Sequence, residues 1–339
     1  MKQADTKKAL ESIARYKSTL ALALSVDDNT LILAIQKLSL ESQQDAQSIK
    51  RATADILKDV ESTKNATAEV QRHVQVVQMD RRRRSIYKWL HAPDPSTNYN
   101  RARRSRQAKT GEWFTESETF STWKSEKRLL WLYGKPGCGK TVLSSTIIHN
   151  IGLDCQLGGK RAMAFFYFDF NDTEKQKTES MIRSLIIQLS EQSIDVSEEL
   201  ESLYASRGYG TKQPQIDELT RVLQNVIKDM DKVYLILDAL DESSDADELM
   251  SRIQEIQGWG YQQLRIILTS RRHHDIEKGI EPLTQPEERI CIQSALVDAD
   301  ISTYIQERLL SDPKLKRWQG KPRIQEEIRL TLMGKADGM

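Results

Sequence analysis

The first 79 residues carry apolar positions at helical spacing and contain neither Gly nor Pro; the first proline is Pro93. Leu20, Leu22 and Leu24, then Leu31, Ile32, Ile35 and Leu38, are too dense for an isolated surface helix and predict a partner that covers them. From Ile49 the apolar positions thin to Ile56, Val60, Val70, Val74 and Val77, with Thr and Ala in the intervening heptad places. That pattern predicts a long amphipathic helix with a poor seam: a weak coiled coil, or a stalk docked on the rest of the chain.

Residues 80–127 read as a connector. Arg81-Arg82-Arg83-Arg84 precedes a short apolar anchor, Ile86 to Leu90, and then Pro93-Asp94-Pro95-Ser96, which resists helix. Trp113, Phe114, Phe120 and Trp123 follow within eleven residues, more aromatic surface than a loose linker needs, and are expected to pack on the next domain.

From 128 to 297 the period switches. Leu129 to Tyr133, Ala162 to Phe168, Val233 to Leu237, Leu264 to Leu268 and Arg289 to Ile292 are short apolar runs, separated by helical patterns around Leu143, Met181 and Leu219. Residues 191–214, charged and containing Gly, read as a surface insertion. Continuous apolar strands alternating with helices predict an α/β fold whose parallel sheet is covered by helices on both faces. Residues 298–339 return to helix, with Ile301, Tyr304, Ile305 and Leu309 on one pattern and a last helix from about Ile324 to Met333.

Composition adds limits. At 339 residues, 29% charged and 38% apolar, with mean hydropathy −0.58, the chain is too apolar for disorder. Its longest apolar run, Ala162 to Phe168, is far too short to cross a bilayer. The N-terminus lacks a signal sequence and the three cysteines are scattered, so a cytoplasmic protein with reduced thiols is expected. The net charge of +1 hides a basic block: Arg72 to Lys109 holds eleven Lys and Arg against two acids. Such a block reads as a solvated connector that pairs with acidic faces, or as a nucleic-acid patch, a lipid-facing patch or a nuclear signal.

The chemistry concentrates in three places. Gly134-Lys135-Pro136-Gly137-Cys138-Gly139-Lys140-Thr141 fits GxxxxGK[ST], between an apolar strand and a helix. Its backbone amides and the helix N-terminus would cradle phosphates, Lys140 would reach the outer ones and Thr141 would hold Mg²⁺. Asp238 ends a buried strand about a hundred residues later, the edge where ligands bind in open α/β sheets, and would share the Mg²⁺. Asp241 and Glu242 follow at once, either to orient an attacking water or to cap a helix. Arg271, at the end of the Leu264 strand, could sense a terminal phosphate, whereas Arg272 faces solvent and His273 and His274 are loop residues. Cys138, beside Lys140 at a helix N-terminus, is expected to be the most reactive of the three thiols, with Cys291 inert in a buried strand.

GKPGCGKT, YLILDALDE and IILTSRR, in that order, resemble a NACHT-type domain of the STAND class of P-loop NTPases, and more closely the fungal nephrocystin-like NACHT proteins. Trp89-Leu90 and the Trp113 to Trp123 aromatics fit the family's lead-in segment, and Asp300-Ile301 with Tyr304-Ile305 fit its exit segment. Tyr16 to Leu20 more loosely resembles the helical N-terminal domain of fungal STAND proteins. The resemblance implies that the Thr269 strand lies between the phosphate-loop strand and the Asp238 strand. It also makes Asp241 and Glu242 the extra acids of such domains and Arg271 their sensor arginine. Ala239 stands where many members have Gly, and Arg272 where many have Pro. Members usually continue into a helical lid and then repeats, whereas this chain stops within the first helical segment.

The function expected is a nucleotide-operated signalling switch. ATP or GTP, with ADP or GDP at rest and Mg²⁺ as the metal, would control output from the N-terminal helices, and by resemblance the setting is fungal self/non-self recognition. Protein partners would engage those helices and the C-terminal repeats, with a nucleotide-dependent homo-oligomer as a further expectation. The alternatives are a turnover-competent AAA-like remodeller and a nucleic-acid-binding protein using the basic connector, the latter disfavoured.

Overall fold

The computed structural model describes residues 2–23, 28–107, 110–156, 158–193, 198–292 and 294–336. Leu24, Lys109 and the last three residues, all used above, lie outside that set. The chain divides into two compact units, Met1–Arg81 and Arg82–Met339.

The first unit holds α1 (Lys2–Ala23) and the larger part of α2 (Asp28–Leu90). The Tyr16 hydroxyl donates to Asp45 at 2.9 Å, and Tyr16 and Leu20 line one groove with Ile35 and Leu38. α1 thus lies beside the dense leucine region, but Leu20, Ile32 and Ile35 stay half exposed, so the expected cover is only partial. The helix does not stop near residue 79 as the charge run suggested. With no Gly or Pro to break it, α2 runs through the four arginines, and Ile86, Trp89 and Leu90 fix its end in the core of the second unit. Spaced i, i+3, i+4, these three fall on one helical face.

In the second unit α3 (Ser96–Ser105), α4 (Glu112–Thr115) and α5 (Glu118–Ser125) lead to β1 (Leu129–Tyr133). Then come α6 (Lys140–Gln156), β2 (Arg161–Tyr167), α7 (Thr178–Glu191), α8 (Glu198–Ser206), α9 (Ile216–Lys228) and β3 (Lys232–Asp238). The series closes with α10 (Ala246–Gly258), β4 (Leu264–Ser270), α11 (His274–Ile280), β5 (Arg289–Cys291), α12 (Ser294–Ser311) and α13 (Pro322–Ala336). All five strands are parallel in the order β2-β3-β4-β1-β5, so β4 lies between the phosphate-loop strand and the Asp238 strand, as the resemblance implied.

Side-chain alternation splits the core between the two sheet faces. Leu129 and Trp131 of β1 join Val233, Leu235 and Leu237 of β3 on the face that α7, α9 and α10 cover. Leu130 and Leu132 join Tyr234 and Ile236 on the other, with Phe114, Phe120, Trp123 and the apolar side of α6. The connector aromatics are thus part of the domain core. The expected surface insertion also differs: α8 buries Leu200 and Tyr204, because the Tyr204 ring meets Trp89 edge-on at 5.2 Å.

β2 is an edge strand, whose free backbone groups invite pairing with another chain. Gln188 on α7 and Gln192 just past its end, one turn apart, use both ends of their amides on it. Gln188 takes the Phe165 N–H and donates to the Phe165 carbonyl, at 3.1 and 2.8 Å; Gln192 does the same at Met163, at 3.0 and 2.7 Å. Two side chains thus stand in for a neighbouring strand.

Candidate nucleotide-binding site

β1 ends at Tyr133, and residues 134–139 turn the chain into α6. A Cβ on Gly134 would lie 2.7 Å from Cys138 Sγ and 3.0 Å from the Ile292 carbonyl oxygen, so no larger residue fits there. Gly139 has φ +85°, a region closed to most L side chains. The loop therefore takes a path that only a glycine-rich sequence allows, and it ends on the N-terminus of a 17-residue helix, where amides and dipole favour an anion. Lys140 Nζ donates to the Gly134 and Lys135 carbonyls at 2.8 and 2.9 Å, which holds the ammonium over the loop.

Asp238 closes β3 with only 1% of its surface exposed. Its Oδ2 accepts from the Thr141 hydroxyl at 2.8 Å, and its Oδ1 from Ser144 at 2.5 Å and Thr269 at 2.6 Å. Burial raises its pKa, and the three hydroxyl donors and the Lys140 charge only partly oppose that. Thr141 and Asp238 are thus brought together. Ser144 escaped the sequence reading because no motif marks it; it lies one turn beyond Thr141 on the same face of α6.

The other acidic candidates are arranged differently from either sequence reading. Asp241 does not cap a helix. Its Oδ1 accepts the Arg271 backbone N–H at 2.8 Å and its Oδ2 lies 3.1 Å from Arg271 Nε, so the acid is taken up in holding the arginine. Glu242 accepts the Phe170 N–H at 2.9 Å and ties the loop after β2 to this edge. Its pKa is raised, first by burial and then by the charges of Asp241, Asp169 and Asp238. Between Asp238 and this pair, Ala239 adopts φ 59°, ψ 51°, the left-handed conformation in which Gly carries no steric cost. Arg272 pairs with Glu277 at 2.7 Å, and His273 and His274 begin α11. Among the described residues no group of three or more His, Cys, Asp or Glu could hold a metal by itself.

The expectation for Cys138 is corrected. Its side chain is 4% exposed and packs in the apolar cluster with Phe114, Leu143 and Ile292, filling the space under Gly134. Lys140 Nζ does lie 3.7 Å from the sulfur, as expected, but the thiol is buried, and burial is what a reagent would meet. Cys291 is only half-buried, and burial pushes the Cys155 thiol up to about 11.

Beside the loop lies a cavity of about 330 Å³ that no motif announced. Thr110, Gly111 and Trp113 form one wall, Gly137 to Gly139 the floor, and Asp300, Ile301 and Tyr304 of α12 the other wall. Asp300 Oδ2 accepts the Gly111 N–H at 2.8 Å and so joins the two walls. The only sequence signals were the aromatic cluster and the Asp300-Ile301 resemblance. The basic block is partly absorbed into the fold: Arg101 pairs with Asp169 at 3.0 Å, Arg82 lies 4.8 Å over the Tyr204 ring, and Arg106 Nε donates to the Thr110 carbonyl at 3.1 Å.

Residues 109–271 match the family described as Nephrocystin 3, N-terminal. Over 206 residues, 58% of this chain, the sequence is 26% identical to the vegetative incompatibility protein HET-E-1 of Podospora anserina, and it spans only 15% of that protein's length. Among solved structures it is similar to the Aeropyrum pernix Orc1 protein in complex with DNA (TM-score 0.37, 11% identity, 57% of this chain and 50% of that one). It is similar also to Drosophila ORC bound to DNA (TM-score 0.34, 15% identity, 64% of this chain and 53% of that one). Both likenesses are distant, and the fold is identified by the strand order and the phosphate loop.

Proposed function

We propose that this chain, whose residues 109–271 form a fungal nephrocystin-like NACHT domain, is a nucleotide-operated switch and not a metabolic enzyme. The observation that carries the reading is the 330 Å³ cavity, whose walls come from the lead-in segment, the phosphate loop and α12 together. A nucleotide with its phosphates on residues 134–141 and its base in that cavity touches three segments far apart in sequence, so its presence or phosphate count changes how α12 packs.

Mg²⁺ fits the donor set. Thr141 and Asp238 offer hard oxygen ligands, and Mg²⁺ is commonly bound by one or two carboxylates plus substrate phosphates and water. The ion would neutralise phosphate charge. Lys140 binds the outer phosphates, Asp241 positions Arg271 as a sensor of them, and Glu242 is the remaining acid able to orient water. With Glu242 held by Phe170 and Asp241 by Arg271, hydrolysis should be slow. The output of the N-terminal helices and a role in self/non-self recognition belong to this proposal. Denaturing the purified protein and identifying the released nucleotide tests it. A purine nucleotide near one per chain, with steady-state turnover close to a single event, is expected; rapid multiple turnover would favour a remodeller, and no nucleotide bound or taken up would remove the reading.

Asp238→Asn should separate binding from folding. The folded pKa of Asp238 is raised, so its carboxylate costs nothing below the unfolded pKa, and the cost grows as pH rises through the window up to the folded value. The ligand-free Asn variant has no charge to bury and should therefore withstand urea at least as well as the wild type. Its affinity for Mg²⁺-nucleotide should fall by about 10- to 100-fold, the range seen even when a supporting group behind a metal ligand is lost. A variant that is less stable and binds normally would contradict both roles.

A further inference from the structure

From Ile49 onward α2 carries a row of exposed apolar side chains. Ile49, Ile56, Val60, Val70, Val74 and Val77 are all exposed, Ile49 at 63%, Val60 at 59% and Val70 at 61%. With Thr53, Thr63 and Thr67 they fall at unbroken alternate spacings of four and three residues from 49 to 77. An alternation of that kind over three to four heptads marks a coiled-coil seam and not a globular helix face. The threonines support burial. Their hydroxyls donate to carbonyls of their own helix, Thr53 to Ile49, Thr63 to Asp59 and Thr67 to Thr63, each at 2.8 Å. What they present outward is a methyl group, with no polar atom left to satisfy.

We propose that this face of α2 is a parallel, in-register coiled-coil interface with further copies of this chain. The flanking charges choose the occupant and the direction. Placing Ile49, Ile56, Thr63, Val70 and Val77 at d puts Lys50, Leu57, Lys64, Gln71 and Gln78 at e. The g positions are then Ala52, Asp59, Ala66 and His73, bracketed by Asp45 and Asp80. In a parallel pair each g faces the e five residues later in the partner, so Asp59 meets Lys64 of the other copy and Ala52 meets Leu57. Asp45, which also accepts from Tyr16, meets Lys50 in the same way. Every charged contact between copies is then of opposite sign. An antiparallel pair would set e against e and g against g, which brings Lys towards Lys and Asp towards Asp. The β-branched side chains at both a and d favour more than two strands. The association would gather the nucleotide domains of several chains at the ends of parallel helices, independently of what those domains bind.

The full chain, at tens of micromolar and without added nucleotide, tests this by sedimentation equilibrium and by oxidation of variants that each carry one added cysteine. A mass of two or three times 39.0 kDa is expected. Val60→Lys with Val74→Lys should raise the dissociation constant by at least about tenfold, because a lysine cannot be buried in the seam without cost. Asp59→Lys should weaken association, and adding Lys64→Asp should restore it, which a merely structural effect would not do. Val60→Cys and Val74→Cys, in separate chains, should each form disulfide-linked dimers above the wild-type background. A monomer mass overturns the proposal, as does association unchanged by the lysine pair. Cross-linking at only one of the two positions excludes the parallel, in-register arrangement.

Discussion

Replacing Lys140 with Ala is expected to lower nucleotide affinity by roughly 10- to 100-fold, the loss of about 1.5–3 kcal/mol that accompanies removal of a charge-assisted contact. Stability should hardly change. Lys140 is partly exposed; it donates to the exposed Lys135 carbonyl, which water can take over, to the Gly134 carbonyl and, at 3.7 Å, to Cys138 Sγ. Surface changes of this kind move stability by no more than about 0.5 kcal/mol. Binding measured by calorimetry and melting measured by circular dichroism on the same preparation would separate the two quantities. A Lys140→Ala variant that keeps wild-type affinity would mean that the Gly134 to Thr141 loop is a tight turn in a sheet protein and not a phosphate site. A variant that loses affinity and melts far lower would show that the lysine braces the loop.

The strands themselves were legible because buried strands and covering helices differ in period, whereas the place of β4 between β1 and β3 came only from the resemblance carried by the loop motif, the Asp238 strand and the Arg271 strand. The roles of the acids were harder to read. Asp241 and Glu242 lie beside Asp238 in sequence, which suggested chemistry or capping. Their partners, Arg271 and the Phe170 amide, come from segments 30 and 72 residues away, and no local pattern encodes such pairings. Cys138 misled for a related reason. Its neighbours in sequence are glycines and a lysine; in space Lys140 Nζ does reach its sulfur at 3.7 Å, but the rest of its surroundings are Phe114, Leu143 and Ile292, which bury it. A cavity wall built from Thr110, Gly111 and Asp300 is likewise invisible until the ends of the domain are brought together. What the chain reveals locally is the loop proposed for the phosphates; what folding adds is the cavity proposed for the base.

The boundary at residue 128 drawn from strand periodicity marks the start of the sheet, not of the structure that keeps the sheet soluble, and Trp123 is where this can be tested. The indole is fully buried, its Nε1 donates to the Ile266 carbonyl at 3.1 Å, and its ring lies 5.5 Å from Phe120 and 5.7 Å from Tyr234. Trp123→Ala removes a large apolar volume against the face formed by β1, β3 and β4, at a cost of about 3–5 kcal/mol for a buried tryptophan. It also takes one donor from the Ile266 carbonyl, which adds roughly 1 kcal/mol. Against a total of about 5–15 kcal/mol for an ordinary domain, that is a large fraction. The melting temperature should fall by roughly 10 °C or more, taking about 2–4 °C per kcal/mol for a unit of this size. Trp113→Ala offers the contrast: Trp113 is only partly buried and lines the cavity, so its loss should weaken nucleotide binding more than it lowers melting. Residues 128–339 expressed alone expose everything that Trp89, Phe114, Phe120 and Trp123 cover, and they should precipitate. If that fragment is monodisperse and Trp123→Ala melts within a few degrees of the wild type, the aromatic segment lies on the domain without holding it together.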